Sequence, residues 1–427
     1  MNKAEHRNPS RSVGGMLRAV VGAALCVASA ASAQVAVKAG TLHTMEGEPI
    51  THALVLIGED GQIDYVGKAS ERAIPAGYTT HECAVATPGL VDVRSTLGFT
   101  GLYNVDADQD QLDDSARLQP GLRAIDAYNP RDRLIGYSRS FGVTTVHTGH
   151  GPGELISGQT MIAKTRGDTV EDAVFVPAKA VAATLGPRAH KGGGKSPGSR
   201  AKAMEMLRTE LLKAQAHAAK IARAESDPDT EGPSRDLAME SLVSVLNRET
   251  PLIIAADRAQ DIANAMRLAD EFGFTLWLES AAESYLLADQ LKERGTPVLL
   301  HPTMARSWGE RANLSYNTAK ILSDAGVPFA IESGYEGYVP KVRIVLFEAA
   351  AAAGYGELGF GDALAAVTIE AAKILGVDGR VGSIAVGKDG DIAMYNADPF
   401  EYTTHCVGVL IEGDHFAGER EFDIGYP

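Results

Sequence analysis

A chain of 427 residues is too long for one small core and of the right length for a large barrel with a satellite domain. Its composition, 45% hydrophobic and 22% charged, is that of an ordinary soluble globular protein, and no apolar run after residue 35 approaches the roughly 18–20 residues that span a bilayer. The formal net charge of −15 argues against nucleic acid as a partner, because an acidic chain repels the phosphate backbone.

The first residues have the layout of a secretory signal, 1–33. Arg7, Arg11 and Arg18 precede the apolar run "AVVGAALCVASAASA", which ends in Ala31–Ser32–Ala33. A buried N-terminal helix is the alternative. A lipid anchor on Cys26 is disfavoured, because Leu25 stands where a small residue should precede a lipidated cysteine. Cleavage before Gln34 predicts an exported protein, periplasmic or extracellular, with no membrane association afterwards. Losing Lys3, Arg7, Arg11, Arg18 and Glu5 would take the net charge from −15 to −18.

From residue 34 to about 86 the chain is rich in short β-like runs, "QVAVKAGTLHTM", "HALVLIGEDGQIDYVG" and "HECAVA", separated by turns such as Glu59–Asp60–Gly61. The last part, with "GDIAMYNADPF" and "CVGVLIEGDHF", has the same character. The two ends are therefore predicted to share one β-domain. Cys83 and Cys406 both fall in it. An oxidising compartment permits their pairing, which the sequence leaves open. Two cysteines without a C-x-x-C cannot build a zinc site alone.

The middle of the chain alternates. Apolar runs at Leu90–Val93, Val143–Val146, Pro251–Ala255, Thr275–Leu278, Pro297–Leu300 and Pro328–Ile331 read as strands. Between the last four lie helical patterns. In "AQDIANAMRLADEFG", Ile262, Met266, Ala269 and Phe272 share one helical face and Gly273 closes it; "AESYLLADQLKERG" and "LSYNTAKILSDAG" behave alike. Starts of these four strands lie 24, 22 and 31 residues apart, the period of parallel β/α units. No G-x-G-x-x-G opens the first unit, which favours a closed barrel over an open doubly wound sheet. The expected fold is α/β: a (β/α)8 TIM-like barrel over 87–389, plus a small β-sandwich domain built from 34–86 and 390–427. The basic, glycine-rich "GPRAHKGGGKSPGSR" (186–200) interrupts the barrel as a lid or a surface excursion, and leads into a long helix from Ala201 to about Glu225.

Four stretches carry a resemblance: "TPGLVDVRSTLG" (87–98), "GVTTVHTGHGPGELISGQTMIAKTRG" (142–167), "LIIAADRAQDIANAMRLADEFG" (252–273) and "VTIEAAKILGVDGRVGSIAVGKDGDIAMYNADPFE" (367–401). Together they resemble the amidohydrolase superfamily, in particular its imidazolonepropionase-like and dipeptidase-like members. The resemblance implies a metal-dependent hydrolase of C–N bonds, with one or two divalent metals at the C-terminal mouth of the barrel. It implies two histidine ligands after strand 1, one each after strands 5 and 6, and an aspartate after strand 8, with a lysine or glutamate sometimes added after strand 4. At those places this chain has Arg94 and Thr96, then Ala255, then Ser280, then Ser333 or Gly334. In the strand-4 region Lys179 is present, but the matching position falls nearer Ala182. Zinc takes neutral histidine, thiolate or carboxylate ligands, and an arginine repels it. The metal set implied by the family is therefore not matched, and no cofactor is expected unless zinc occupies a relocated site.

Other polar residues remain near the strand C-termini, where a barrel places its chemistry: His147, His150, Asp257, Glu279, His301 and Glu332. They could form a relocated metal site. Alternatively His147 and His301 are hydrogen-bonded core histidines, and the carboxylates pair with Arg94, Arg258 or Arg306. Arg94, where a dication would sit, is expected to neutralise Glu279 or Glu332 or to clamp a ligand carboxylate. No G-x-S-x-G elbow marks a serine nucleophile, and "GHGPGELISG" lacks the lysine of a P-loop. Two readings stand. One is a non-catalytic homologue that binds a small molecule or pairs with a catalytically complete paralogue or a second copy of itself. The other is a hydrolase of C–N bonds, non-peptide or dipeptide, with a reorganised site.

Overall fold

The computed structural model describes residues 34–103, 105–191, 195–227, 229–336 and 343–421. The expected signal, residues 1–33, lies outside the described residues, which carry two sheets.

The first sheet is built from both chain ends. Its strands are β1 (Val35–Leu42), β2 (Ile50–Ile57), β3 (Ile63–Lys68) and β4 (Thr79–Pro88). The barrel strands follow as β5 to β13: β5 (Leu90–Ser95), β6 (Val143–Gly149), β7 (Ile156–Lys164), β8 (Val174–Val176), β9 (Val181–Thr184), β10 (Leu252–Ala255), β11 (Leu276–Ser280), β12 (Val298–Leu300) and β13 (Phe329–Ile331). The chain then returns to the first sheet with β14 (Ile392–Tyr395), β15 (Cys406–Ile411) and β16 (Asp414–Ala417).

The first sheet has seven strands in the order β16-β15-β14-β4-β1-β2-β3. The ends join where β14 pairs antiparallel with the last residues of β4, Ile392 opposite Pro88. A sandwich of two stacked sheets was expected; the hydrogen bonds run instead through one continuous sheet. Its period-2 pattern explains why both faces are apolar. Val35, Val37, Val55 and Ile57 pack on one side with Met394 and Leu410, whereas Ala36, Leu54 and Leu56 pack on the other with Tyr65 and Tyr78. Cys83 and Cys406 are free, on β4 and β15 with β14 between them. Strands spaced about 4.8 Å apart put them beyond the roughly 7 Å that a disulfide tolerates. Burial pushes both thiols up to about 12.

The second sheet runs β13-β12-β11-β10-β9-β7-β6-β5, with β8 attached to β7. It nearly closes: Ser95, at the end of β5, bridges Gly334, just after β13, and the Gly334 amide donates to the Arg94 carbonyl at 3.0 Å. One strand departs from the (β/α)8 expectation. β7 is antiparallel to both β6 and β9. Only residues 150–155 join β6 to β7, and a parallel return needs a crossover of a dozen or more. After Ile156 the residues of β7, "ISGQTMIAK", run through Ser157, Gly158, Gln159 and Thr160, which hid the strand from the apolar pattern.

Helices pack outside the barrel as their periodicity required. Those over Ala259–Phe272, Ala288–Arg294 and Thr318–Ala325 each end on a glycine in the left-handed conformation, Gly273, Gly295 and Gly326. The long helix spans Arg200–Ser226, started by the Ser199 side chain accepting from the Lys202 amide.

Two sequence signatures have packing reasons. Gly89, between β4 and β5, lies against β6 so closely that a Cβ there would meet Thr144 side-chain atoms at 2.2 Å. In "GKDGD", Asp389 and Asp391 both take the buried ammonium of Lys164, at 2.9 and 2.7 Å, and so tie β7 to the seven-stranded sheet. Arg380 also reaches Asp389.

Candidate functional site at the barrel mouth

The C-terminal ends of β5 and β9–β13 bring the candidate residues to one mouth. Arg94, on β5, is 1% exposed. Its Nε donates to Glu279 Oε2 at 3.1 Å, its Nη1 to the Ser95 carbonyl at 3.1 Å and its Nη2 to the His150 carbonyl. Register explains the pairing: Arg94 leads into the bridge that closes the sheet, and Glu279 lies one residue short of the end of β11. Thr96 is buried and accepts from Thr100 Oγ1 at 3.1 Å.

Asp92, two residues before Arg94, lies on the same face of β5 by strand alternation. It accepts from the Ser333 hydroxyl, from the Ser333 amide at 3.0 Å and from the Arg94 amide at 3.3 Å. Burial pushes its carboxyl up to about 7, against the lowering effect of those bonds. Ser333, a candidate for the aspartate place, is thus the partner of Asp92, while Gly334 closes the sheet.

Glu332 is 3% exposed and its Oε2 has no partner among the described residues. Burial, reinforced by the neighbouring Glu279 charge, holds its carboxyl well above the usual range. Asp257, two residues past β10, accepts from Ser280 Oγ at 2.6 Å and lies 3.6 Å from Arg311 Nε. Ser280 and Ala281 have φ of 69° and 52°, the left-handed region that non-glycine residues seldom occupy. Such strain at a strand C-terminus aims Ser280 toward Asp257.

The histidines divide. His147 is fully buried and held on both sides, by the Val93 carbonyl at 2.8 Å and Thr160 Oγ1 at 2.7 Å. Burial, then the Arg94 charge, lowers it to about 3, so it is a neutral structural ring. His150 is lowered to about 4 for the same two reasons. His301 Nδ1 meets the Pro302 carbonyl at 2.8 Å, which fixes the proton on Nδ1 and leaves Nε2 as a lone pair without a partner among the described residues. Burial lowers this ring to about 4.

Some expected pairings are replaced. Arg258 bonds Glu283 at 2.9 Å, away from the central carboxylates, and Asp257 takes Arg311. Lys179 precedes β9, at the end of the strand away from the mouth, and lies over the Trp277 ring at 5.5 Å. Residues that the sequence reading passed over complete the mouth: Arg188 on the short turn Pro187–Ala189 after β9, and Arg311, Trp308 and Tyr335 on the loops after β12 and β13. The basic loop at 186–200 was the one signal for Arg188; loop residues without periodicity gave none for the others.

The mouth opens in two connected spaces. The inner one, of about 10 Å³, is bounded by Glu279, Ser280, Glu332, Arg188 and Arg311. The outer one, of about 600 Å³, shares Arg188, Arg311, Tyr335 and Glu336 with it and adds Asp257 and Trp308.

A barrel closed by a β5–β13 bridge, with its polar residues at the strand C-termini and a composite sheet beside it, is the architecture that the resemblance to the amidohydrolase superfamily implies. Sequence and structure comparisons both liken the chain to the amidohydrolase superfamily. Residues 347–415 match the model of the amidohydrolase family. The amidohydrolase tasK of Hapsidospora irregularis is 25% identical over 77% of this chain and 36% of its own length. The imidazolonepropionase of Thermoplasma volcanium is 29% identical over 31% of this chain and 33% of its own. The matches thus span about a third of either curated relative. The crystal structure of an amidohydrolase from Thermotoga maritima MSB8 superposes with a TM-score of 0.84 and 27% identity, over 90% of this chain and all of that one.

The superfamily implies a divalent metal at this mouth. The residues at the matching places do not fit one. A guanidinium, always cationic, fills the first place, and Ala255 and Gly334 offer no side-chain donor. Among the described residues no three histidine, cysteine, aspartate or glutamate side chains gather closely enough to hold a metal ion.

Proposed function

We propose that this amidohydrolase-family protein is an exported, non-catalytic homologue whose barrel mouth binds a small molecule. The reading rests on the Arg94–Glu279 pair. A permanent cation with a buried carboxylate partner takes the place where the family's metal would be bound. The walls of the mouth nevertheless leave a space of ligand size, about 600 Å³. Association with a catalytically complete paralogue, or with a second copy, belongs to the same proposal.

The test is metal content and ligand response of one purified preparation. The expected result is less than about a tenth of a zinc per chain, thermal stability unmoved by a chelator, and a ligand that raises Tm as RT ln(1 + [L]/Kd) requires. Stoichiometric zinc, removed by chelator together with a hydrolytic activity, would overturn it.

A second reading, hydrolysis of C–N bonds by a reorganised site, draws on one observation. Ser280 is strained, bonded to Asp257, and its carbonyl accepts from the amide of His301, whose Nε2 lone pair is unpartnered. Hydrolysis of acyl-amide substrates by metal-depleted protein, lost in Ser280→Ala, would favour it.

A further inference from the structure

Arg188 is half-buried at the boundary of the two spaces in the mouth. Its guanidinium has no carboxylate oxygen within 4.0 Å among the described residues, although the other charges around it are engaged. Glu279 holds Arg94, Glu336 holds Arg343 at 3.0 Å, Glu310 holds Arg200 at 3.3 Å, and Asp257 is shared by Ser280 and Arg311. Glu332, buried beside Glu279, is not within salt-bridge distance of Arg188 among the described residues. Arg188 is therefore left without a carboxylate partner in a concave site that Arg306 and Arg311 also line, and a guanidinium drawn from water favours an anion with hydrogen-bond acceptors. Arg311, at 3.6 Å from Asp257, is loosely held and keeps N–H groups to spare on the same wall. Above them stands Trp308, 75% exposed, a large apolar surface at the rim of an otherwise polar mouth.

We propose that the mouth binds a small monocarboxylate, its charge held by Arg188 and Arg311 and its apolar body lying against Trp308 and Tyr335. This deepens, and rests on, the reading of the mouth as a ligand site. The inner space admits no more than a water-sized group, so the carboxylate stays at the boundary and the body occupies the outer space. The unpartnered Glu332 Oε2 then faces a single small group, a water or a polar group of the ligand.

The experiment uses the full chain and matched probes that differ only in the carboxylate: N-acetylphenylalanine and benzoate against N-acetylphenylalaninamide and benzamide, with inorganic phosphate as a further arm. Binding is followed by thermal shift and calorimetry. The acids are expected to raise Tm and the amides not. Arg188→Gln should weaken the acids at least tenfold, and Arg188→Lys should retain part of the affinity. Equal binding of acids and amides would overturn the proposal, as would binding of phosphate alone, no response to any probe up to 10 mM (roughly the weak limit at which RT ln(1 + [L]/Kd) is still readable), or an undiminished Arg188→Gln protein. The acid–amide contrast in the parent decides the matter even if Arg188→Gln does not fold. Zinc measured on the same preparation separates this proposal from the metal-free reading. Stoichiometric zinc with an intact acid–amide contrast would sink the latter alone.

Discussion

Replacing Arg94 by methionine tests the arrangement at its centre. Methionine fills much of the arginine stem's volume but removes the charge and the donors. Glu279, 4% exposed, would be left as a buried carboxylate without its cation, and the Ser95 and His150 carbonyls would each lose a donor. Removing one partner of a buried ion pair costs about 3–5 kcal/mol, most of it the penalty of the charge left behind. A chain of 427 residues unfolds with an entropy of about 0.9 kcal/mol/K at roughly 2.1 cal/mol/K per residue, so that loss lowers Tm by about 3–6 °C. The diagnostic variant is the double one. Arg94→Met with Glu279→Gln removes the stranded charge, and should recover at least about 2 kcal/mol relative to the sum of the single changes. Differential scanning calorimetry on the parent, both singles and the double gives the cycle directly. Should Arg94→Met melt within about 1 °C of the parent, or should the cycle show no coupling, the claim that this pair neutralises the mouth would fail.

Lys164→Met should be as damaging, by about 3–5 kcal/mol, because buried Asp391 loses its cation and Asp389 keeps only Arg380; adding Asp391→Asn should restore most of it in urea unfolding. Asp92 and Glu348, both buried, are raised to about 7. Between about pH 4, where the unfolded carboxylates ionise, and pH 7, the folded state holds the extra protons, so stability falls as pH rises through that window and levels above it. Asp92→Asn with Glu348→Gln should flatten that fall, and an unchanged slope in urea midpoints from pH 4 to 8 would refute it. Gly89→Ala should lose about 1–3 kcal/mol by overpacking against Thr144, partly relieved by Thr144→Ser, as read from thermal melts.

Periodicity and turn chemistry determined much of the architecture from the chain alone. Apolar runs alternating with amphipathic segments require parallel β/α units, since each strand can bury two faces only under helices. The left-handed glycines at 273, 295 and 326 announce the helix ends, because no other residue takes that conformation at so little cost. Local pattern also showed Arg94, Thr96 and Ala255 at places where the resemblance implies metal ligands. The direction of β7 was not legible, because its antiparallel course follows from a connection too short to cross over, and its polar start conceals the strand. Nor could the sequence tell which of the carboxylates would meet Arg94. Glu279 lies 185 positions away, and the encounter depends on sheet closure and register. The raised carboxyl of Glu332, the fixed tautomer of His301 and the lack of a carboxylate partner for Arg188 are likewise tertiary outcomes. Each is set by what a group is buried beside, and burial beside distant residues is decided only when the barrel closes.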